Sequence, residues 1–185
     1  NGELSEGRAY VYLGSASGLA ANAAWTAESD RIEAAFGSSV ATAGDVNRDG
    51  FADVIVGARG YSDGEVEEGR AYVYLGSVAG LATSAAWAVE SDKVGARFGH
   101  VVATAGDVNG DGYSDVLVGA PIFANGQVAE GRAHLYLGSA LGLAMFAAWT
   151  AESNQADANF AWSLATAGDV NGDGYSDVIV GTYFT

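Results

Sequence analysis

The sequence of 185 residues has no cysteine, a single proline and only two histidines. Without cysteine, neither a disulfide framework nor a thiolate metal site can form. The histidines, His100 and His134, have no partners at equivalent positions elsewhere in the chain. We therefore do not expect either one to serve as a catalytic base or a metal ligand.

Basic residues are also scarce, with 8 Lys and Arg against 23 Asp and Glu and a formal charge of −15. A nucleic-acid partner is excluded because binding to phosphates requires a basic surface. A disordered acidic tail is equally disfavoured, since 49% of the residues are hydrophobic.

Long apolar runs are missing as well. No stretch approaches the roughly 18 apolar residues of a membrane span, and no basic start followed by an apolar segment resembles a signal peptide. We expect a soluble, already processed chain that does not insert into membranes.

The chain does contain an internal repeat, together with 27 glycines. Glu6–Ser15 recurs as Glu68–Ser77 and, with two changes, as Glu130–Ser139, a spacing of 62 residues (68 − 6 and 130 − 68). Two further sets keep this spacing: Trp25, Trp87 and Trp149, and Asp45, Asp107 and Asp169. We interpret residues 1–185 as one region of three repeats, 1–62, 63–124 and 125–185.

Each repeat predicts four short strands and no helix. In the first repeat they are Arg8–Leu13, Ala24–Glu28, the small-residue run Val40–Gly44 and the apolar run Val54–Gly57. Glycine-rich, four-stranded units of fixed period are typical of β-propeller blades. The predicted fold class is therefore all-β, a β-propeller of four-stranded blades with three blade equivalents per chain.

The frame of the repeat predicts a half-blade at each end. The chain opens with the two outer strands of one blade and closes with the two inner strands of another. Three blades are fewer than the roughly four to eight of known rings. One hypothesis is a homodimer in which two chains exchange half-blades to close a six-bladed ring. The alternative is that the chain is a fragment of a longer propeller.

A nine-residue segment between the small-residue strand and the apolar strand carries the candidate chemistry. Oxygen side chains stand at its positions 1, 3, 5 and 9, glycine at 6, and a backbone carbonyl is available at 7. Ca²⁺ takes six to eight oxygen ligands, so three Ca²⁺ sites per chain are predicted. The candidate ligands are Asp45, Asn47, Asp49, Phe51 and Asp53; Asp107, Asn109, Asp111, Tyr113 and Asp115; and Asp169, Asn171, Asp173, Tyr175 and Asp177.

Two other interpretations of these segments were weighed. An EF-hand needs a glutamate at position 12 and flanking helices, but position 12 is Val56, Val118 or Val180. Asp and Asn also make good turns without metal. Three copies with three carboxylates each favour the metal, because clustered like charges repel unless a cation compensates.

Short motifs around these segments resemble FG-GAP repeats, the units of the integrin α-subunit propeller. They appear in the family's order: Phe36-Gly37 and Phe98-Gly99 before the small-residue strand, then Gly57-Ala58 and Gly119-Ala120-Pro121 after the metal segment. Phe160-Ala161 in the third repeat and Arg59 in the first depart from the pattern without touching a proposed ligand.

The resemblance implies calcium loops with a structural role on one face and partner binding chiefly on the opposite face. The partner-facing loops would then be 29–35, 59–67, 91–97, 121–129 and 153–159. Tyr61 and Phe123 in these loops could anchor a sugar or a protein, or pack beneath their own loops. The repeated tryptophans are expected to fill the space between blades, although carbohydrate pockets are an alternative. Arg8, Arg70 and Arg132 are expected to pair with nearby carboxylates.

The function expected from these features is a non-catalytic, calcium-stabilised binding or adhesion module, secreted or at the cell surface, including the periplasm. No nucleophile, base and orienting group recur together, and the repeated carboxylates are assigned to metal. A protein or glycan ligand is expected on the face opposite the calcium loops. The alternatives are a multivalent propeller lectin and an accessory propeller of a secreted hydrolase.

Overall fold

A computed structural model describes residues 4–184, which contain strands, turns and no helix. Accordingly, no helix in this range could cross a membrane. Fourteen strands are formed: β1 Arg8–Val11, β2 Gly14–Ser15, β3 Gly18–Leu19, β4 Trp25–Glu28, β5 Phe36–Gly44, β6 Asp53–Ala58, β7 Arg70–Tyr74, β8 Trp87–Glu90, β9 Val101–Gly106, β10 Asp115–Ala120, β11 Arg132–Tyr136, β12 Trp149–Glu152, β13 Ser163–Gly168 and β14 Asp177–Gly181.

These strands form two complete propeller blades flanked by two half-blades. The complete blades are the antiparallel sheets β5-β6-β7-β8 and β9-β10-β11-β12, in chain order. At one end β1 pairs with β4, and at the other β13 pairs with β14. The all-β fold of four-stranded units expected from the sequence is thus confirmed. The β2–β3 hairpin in the first repeat was not expected.

Neighbouring blades approach closely at the glycines near the ends of the second strands, β6 and β10. A Cβ atom on Gly57 would lie 1.9 Å from the carbonyl oxygen of Gly99, and one on Gly119 would lie 2.5 Å from that of Ala161. Atoms cannot come so close, so a side chain at either glycine would push the blades apart. The apolar residues of β6 and β10 are buried beside them.

Two of the three repeated tryptophans, Trp25 and Trp87, lie between blades, as expected for core packing. The indole N–H of Trp25 donates to the carbonyl of Ala82 at 2.9 Å, and that of Trp87 donates to Ala144 at 2.9 Å. Each donor and acceptor belong to successive repeats. Trp25 and Trp87 are buried, whereas Trp149 remains partly exposed, which excludes the first two as open carbohydrate pockets.

The repeated arginines pair with glutamates across the outer strands, also as expected. Salt bridges join Arg8 to Glu28, Arg70 to Glu90 and Arg132 to Glu152. Two of these guanidinium groups also cover aromatic rings in the loops that connect β6 to β7 and β10 to β11, with distances of 4.9 Å to Tyr61 and 3.9 Å to Phe123. Both rings are buried, so Tyr61 and Phe123 pack beneath their own loops and are not exposed anchors.

His134 replaces the tyrosine of the other repeats. We predict that it makes the folding stability of the protein fall at acidic pH. Burial lowers its pKa to about 4, while a histidine in an unfolded chain titrates near 6.5. The unfolded state therefore binds more protons between these pH values, so stability falls as the pH drops from about 6.5 to 4. The loss should approach about 3 kcal/mol.

His134→Tyr restores the residue of the other repeats and serves as the matched control. Urea unfolding of both proteins across pH 4–7 gives the difference in pH dependence. If the free energy of unfolding changes with pH by the same amount in both proteins, the assignment of this effect to His134 is wrong.

Candidate metal centres

The three candidate loops follow the inner strands β5, β9 and β13 and lead into β6, β10 and β14. Each starts beside an irregularity in the strand pairing, as between Thr42 and Gly44. There the Thr42 hydroxyl accepts the Gly44 N–H at 3.0 Å. The irregularity turns the chain away from the sheet and into the loop.

Side chains at positions 1, 3 and 5 fold over the interior of each loop. In the first loop, the Asp45 carboxylate accepts the N–H groups of Asp49 at 3.0 Å and Gly50 at 2.8 Å. Asn47 Oδ1 accepts the same Asp49 N–H at 3.2 Å, and Asp49 Oδ1 accepts the Phe51 N–H at 2.9 Å. The second and third loops repeat these bonds.

The aspartate at position 9 ties its loop to the outer half of the blade. Asp53 Oδ2 accepts the Val46 N–H at 2.8 Å, and its Oδ1 accepts the Gly76 N–H, beyond β7, at 2.8 Å. Asp115 repeats the arrangement with Val108 and Gly138, both at 2.9 Å. Asp53 and Asp115 are fully buried.

The third copy of this arrangement is only half formed. Asp177 Oδ2 accepts the Val170 N–H at 2.8 Å, but within residues 4–184 it has no second bond like those that Gly76 and Gly138 donate to Asp53 and Asp115. Asp177 is accordingly only partly buried.

The electrostatic setting differs between the ends of the segment. Burial raises the pKa of Asp53 and Asp115, opposed by their two backbone N–H bonds and assisted by repulsion from the neighbouring loop aspartates. For Asp169 the N–H bond from Gly174 dominates and lowers the pKa of the carboxyl. The backbone donors around Asp169 thus favour the ionised form that a cation requires.

The donor set suits a hard cation. Each carboxylate oxygen can accept more than one bond, so the backbone contacts leave lone pairs for a metal. Within residues 4–184 no three acidic or histidine side chains already stand together as a metal site. The loop interior nevertheless gathers oxygens from positions 1, 3 and 5, a set that fits Ca²⁺.

Successive loops are also joined to each other. The carbonyl of Asp45 accepts the Ser114 N–H at 3.0 Å, the Ser114 hydroxyl accepts the Asp45 N–H at 3.1 Å, and Asp107 accepts the Ser176 N–H at 2.9 Å. The three loops therefore form a continuous band on one face.

Sequence reasoning missed the glycines that complete the position-9 contact. A Cβ on Gly76 would lie 2.4 Å from the carbonyl oxygen of Ala52, and one on Gly138 would lie 2.4 Å from that of Ser114. Only glycine lets the outer turn approach the loop closely enough to donate. The recurrent Leu-Gly-Ser after the third strand was the available signal.

Comparison with known families decides the membership of the chain. A family model described as FG-GAP repeat matches residues 36–74, 98–136 and 160–185. The chain belongs to the FG-GAP repeat family. Each matched segment starts at a phenylalanine at or just before the inner strand and includes one candidate metal loop.

Curated relatives that contain similar repeats are much longer proteins. Mouse integrin alpha-IIb is 34% identical over 161 residues, which cover 83% of this chain and 15% of the relative. Integrin alpha pat-2 of Caenorhabditis elegans is 37% identical over 164 residues, which cover 80% of this chain and 13% of the relative. Bovine phosphatidylinositol-glycan-specific phospholipase D is 35% identical over 153 residues, which cover 77% of this chain and 18% of the relative. The FG-GAP chain described here thus spans less than a fifth of each.

The two kinds of loop aspartate should respond differently to substitution in the presence of a chelator. Asp115→Ala leaves two buried N–H groups without acceptors, which should cost about 2 to 5 kcal/mol of unfolding free energy. Asp111→Ala removes exposed turn contacts and should cost less than about 1 kcal/mol. Urea unfolding in EGTA measures both. Equal losses would contradict the bracing role of Asp115.

Proposed function

We propose that this FG-GAP chain is a non-catalytic, calcium-stabilised propeller that acts as an extracellular binding or adhesion module. The observation that carries the proposal is the hydrogen-bonded loop framework, which recurs three times with oxygen side chains turned inward. Such loops place candidate oxygen ligands for Ca²⁺ at three points on one face.

Each ion would be held by the side chains at positions 1, 3, 5 and 9 of its loop and by the carbonyl at position 7. When bound, Ca²⁺ supplies positive charge that offsets the repulsion among three carboxylates. Three ions would change the formal charge from −15 to −9, since each contributes +2. The modest affinity of such open loops suits the high Ca²⁺ concentration outside cells.

The proposed partner surface lies at the other end of the blades. Exposed aliphatic side chains recur there in neighbouring loops: Leu4, Ile32, Val66, Val94 and Val128. Backbone bonds bring these loops together, with the Gly95 N–H donating to Val66 at 2.8 Å and the Asp157 N–H donating to Val128 at 2.9 Å. A surface of repeated apolar tips favours a protein partner.

A glycan partner has less support. Of the aromatic residues considered for sugar stacking, Tyr61, Phe123, Trp25 and Trp87 are buried, whereas Trp149 is exposed. An accessory role beside a hydrolase is the second candidate function, and the similarity to phosphatidylinositol-glycan-specific phospholipase D favours it.

We further propose that a second copy of the chain supplies the strands that complete the two half-blades. Two chains with three blade equivalents each would make six blades, within the range of closed rings. A longer chain with additional repeats is the alternative source of the missing strands.

Calcium removal tests the structural part of the proposal. Free Ca²⁺ at 100 times its Kd should stabilise the folded state by about 2.7 kcal/mol per site, which raises the Tm by at least about 5 °C. Thermal unfolding in Ca²⁺ and in EGTA measures the shift. The triple variant Asp45→Ala, Asp107→Ala and Asp169→Ala should show no Tm difference between the two buffers. A wild-type Tm that is the same in both buffers would refute the calcium claim.

The binding part can be tested with arrays of secreted proteins and of glycans probed in Ca²⁺. We expect protein ligands whose binding is abolished by Val66→Asp with Val128→Asp, because charged tips cannot be buried without a partner charge. Exposed Val78, on a different connection, supplies the control Val78→Asp, which should bind normally. Binding to glycans alone would overturn the protein assignment.

A further inference from the structure

The third repeat departs from the second at three positions that line one groove. Met145 and Phe146 replace a threonine and a serine of the second repeat, and His134 replaces Tyr72. All three line a groove of about 360 Å³ between β8 of one complete blade and β11 and β12 of the other. Departures from a nearly exact repeat thus converge on one place between two complete blades.

The rim of this groove is apolar in this blade alone of the two complete blades. Met145 and Phe146 are 57% and 86% exposed. Their counterparts in the first complete blade, Thr83 and Ser84, are exposed as well, so this rim position faces solvent in both blades. Two large apolar side chains at a solvent-facing position beside a groove are typical of a binding site.

The preceding inter-blade contact shows which group fits beside these residues. There Tyr72 holds the place of His134, and its ring packs edge-on against Phe36 at 5.3 Å. His134 packs against Phe98 in the same way at 5.1 Å. Tyr72 is half-buried, whereas the shorter His134 stays buried. The outer part of a tyrosine ring and its hydroxyl are therefore missing from the groove beside His134.

Two buried polar atoms of groove residues lack a hydrogen-bond partner. Within residues 4–184 neither His134 Nδ1 nor Glu90 Oε2 makes a hydrogen bond, and the nearest cation to Glu90 Oε2 is Arg70 Nη1 at 3.6 Å. Burial lowers the pKa of His134 to about 4, so its imidazole is neutral at pH 7 and offers one donor and one acceptor. A hydroxyl group both donates and accepts, which suits an imidazole and a carboxylate together.

We infer that this groove binds a tyrosine side chain of a protein partner. The ring packs against Phe146 and Met145, and its hydroxyl bonds to His134 and Glu90. Tyrosine combines an apolar body with a polar tip, as the groove requires. The inference rests on the proposed role in protein binding. Lys93 of the partner-facing loop 91–97 borders the groove, so a partner seated on that loop reaches it.

Met145 is the single methionine of the chain and therefore reports directly on the groove. With ¹³C in its methyl group, an aromatic ring bound beside it shifts one NMR signal that needs no assignment. p-Cresol, the side-chain analogue of tyrosine, should titrate this shift with a Kd of about 1 mM, as expected of so small a ligand. Toluene, which lacks the hydroxyl, should bind about tenfold more weakly. The peptide Gly-Gly-Tyr-Gly-Gly should bind like p-cresol.

Three variants complete the test. His134→Tyr fills the groove with the residue of the other repeats and should weaken p-cresol binding at least about tenfold. Phe146→Ser restores the serine of the second repeat and should weaken it about threefold. Leu141→Ser changes a side chain that is 99% exposed outside the groove and should bind like the wild type.

The possible failures are distinguishable. Equal binding of p-cresol and toluene, or equal binding by the wild type and His134→Tyr, would overturn the site. Binding of p-cresol without binding of the tyrosine peptide would overturn the protein source of the ring. If p-cresol does not bind although protein ligands are found on the arrays, the groove assignment is wrong and the protein-binding function stands.

Discussion

The bridge made by the position-9 aspartate is the contact on which the rest of this structure depends. Asp53 and Asp115 are fully buried, and each joins the start of its loop to the turn beyond the third strand. A buried carboxylate is tolerated only when its oxygens are well bonded. The same residue therefore fixes the loop that we propose to hold Ca²⁺ and locks the inner strands of the blade to its outer strands.

Much of the fold was accessible from the sequence because the repeat is nearly exact. The period of 62 gave the number of units, and the alternation of Tyr-Val-Tyr, Trp, small-residue and apolar runs gave four strands per blade. The bonds from Gly76 and Gly138 could not be predicted, since they join positions 23 residues apart through a close backbone approach. The burial of Tyr61 beneath Arg70 likewise depends on tertiary packing that a loop sequence does not specify.

The acidic residues of the chain are concentrated in these loops. Nine of the 23 acidic residues stand at positions 1, 5 and 9 of the three segments. The exposed members approach one another in short turns, and their backbone bonds orient them without neutralising them. The exposed apolar residues are distributed differently. They lie at loop tips on the opposite face and, as with Ile179 of β14 and Trp149 of β12, on strands near the C-terminal half-blade.

The central claim is that each repeat of this FG-GAP chain holds one Ca²⁺, and the number of ions bound per chain tests it most directly. Equilibrium dialysis against radioactive Ca²⁺ at neutral pH, in excess Mg²⁺ to suppress weak surface binding, measures this number. We predict that binding saturates at three ions per chain. Saturation at fewer than three ions per chain would contradict the account.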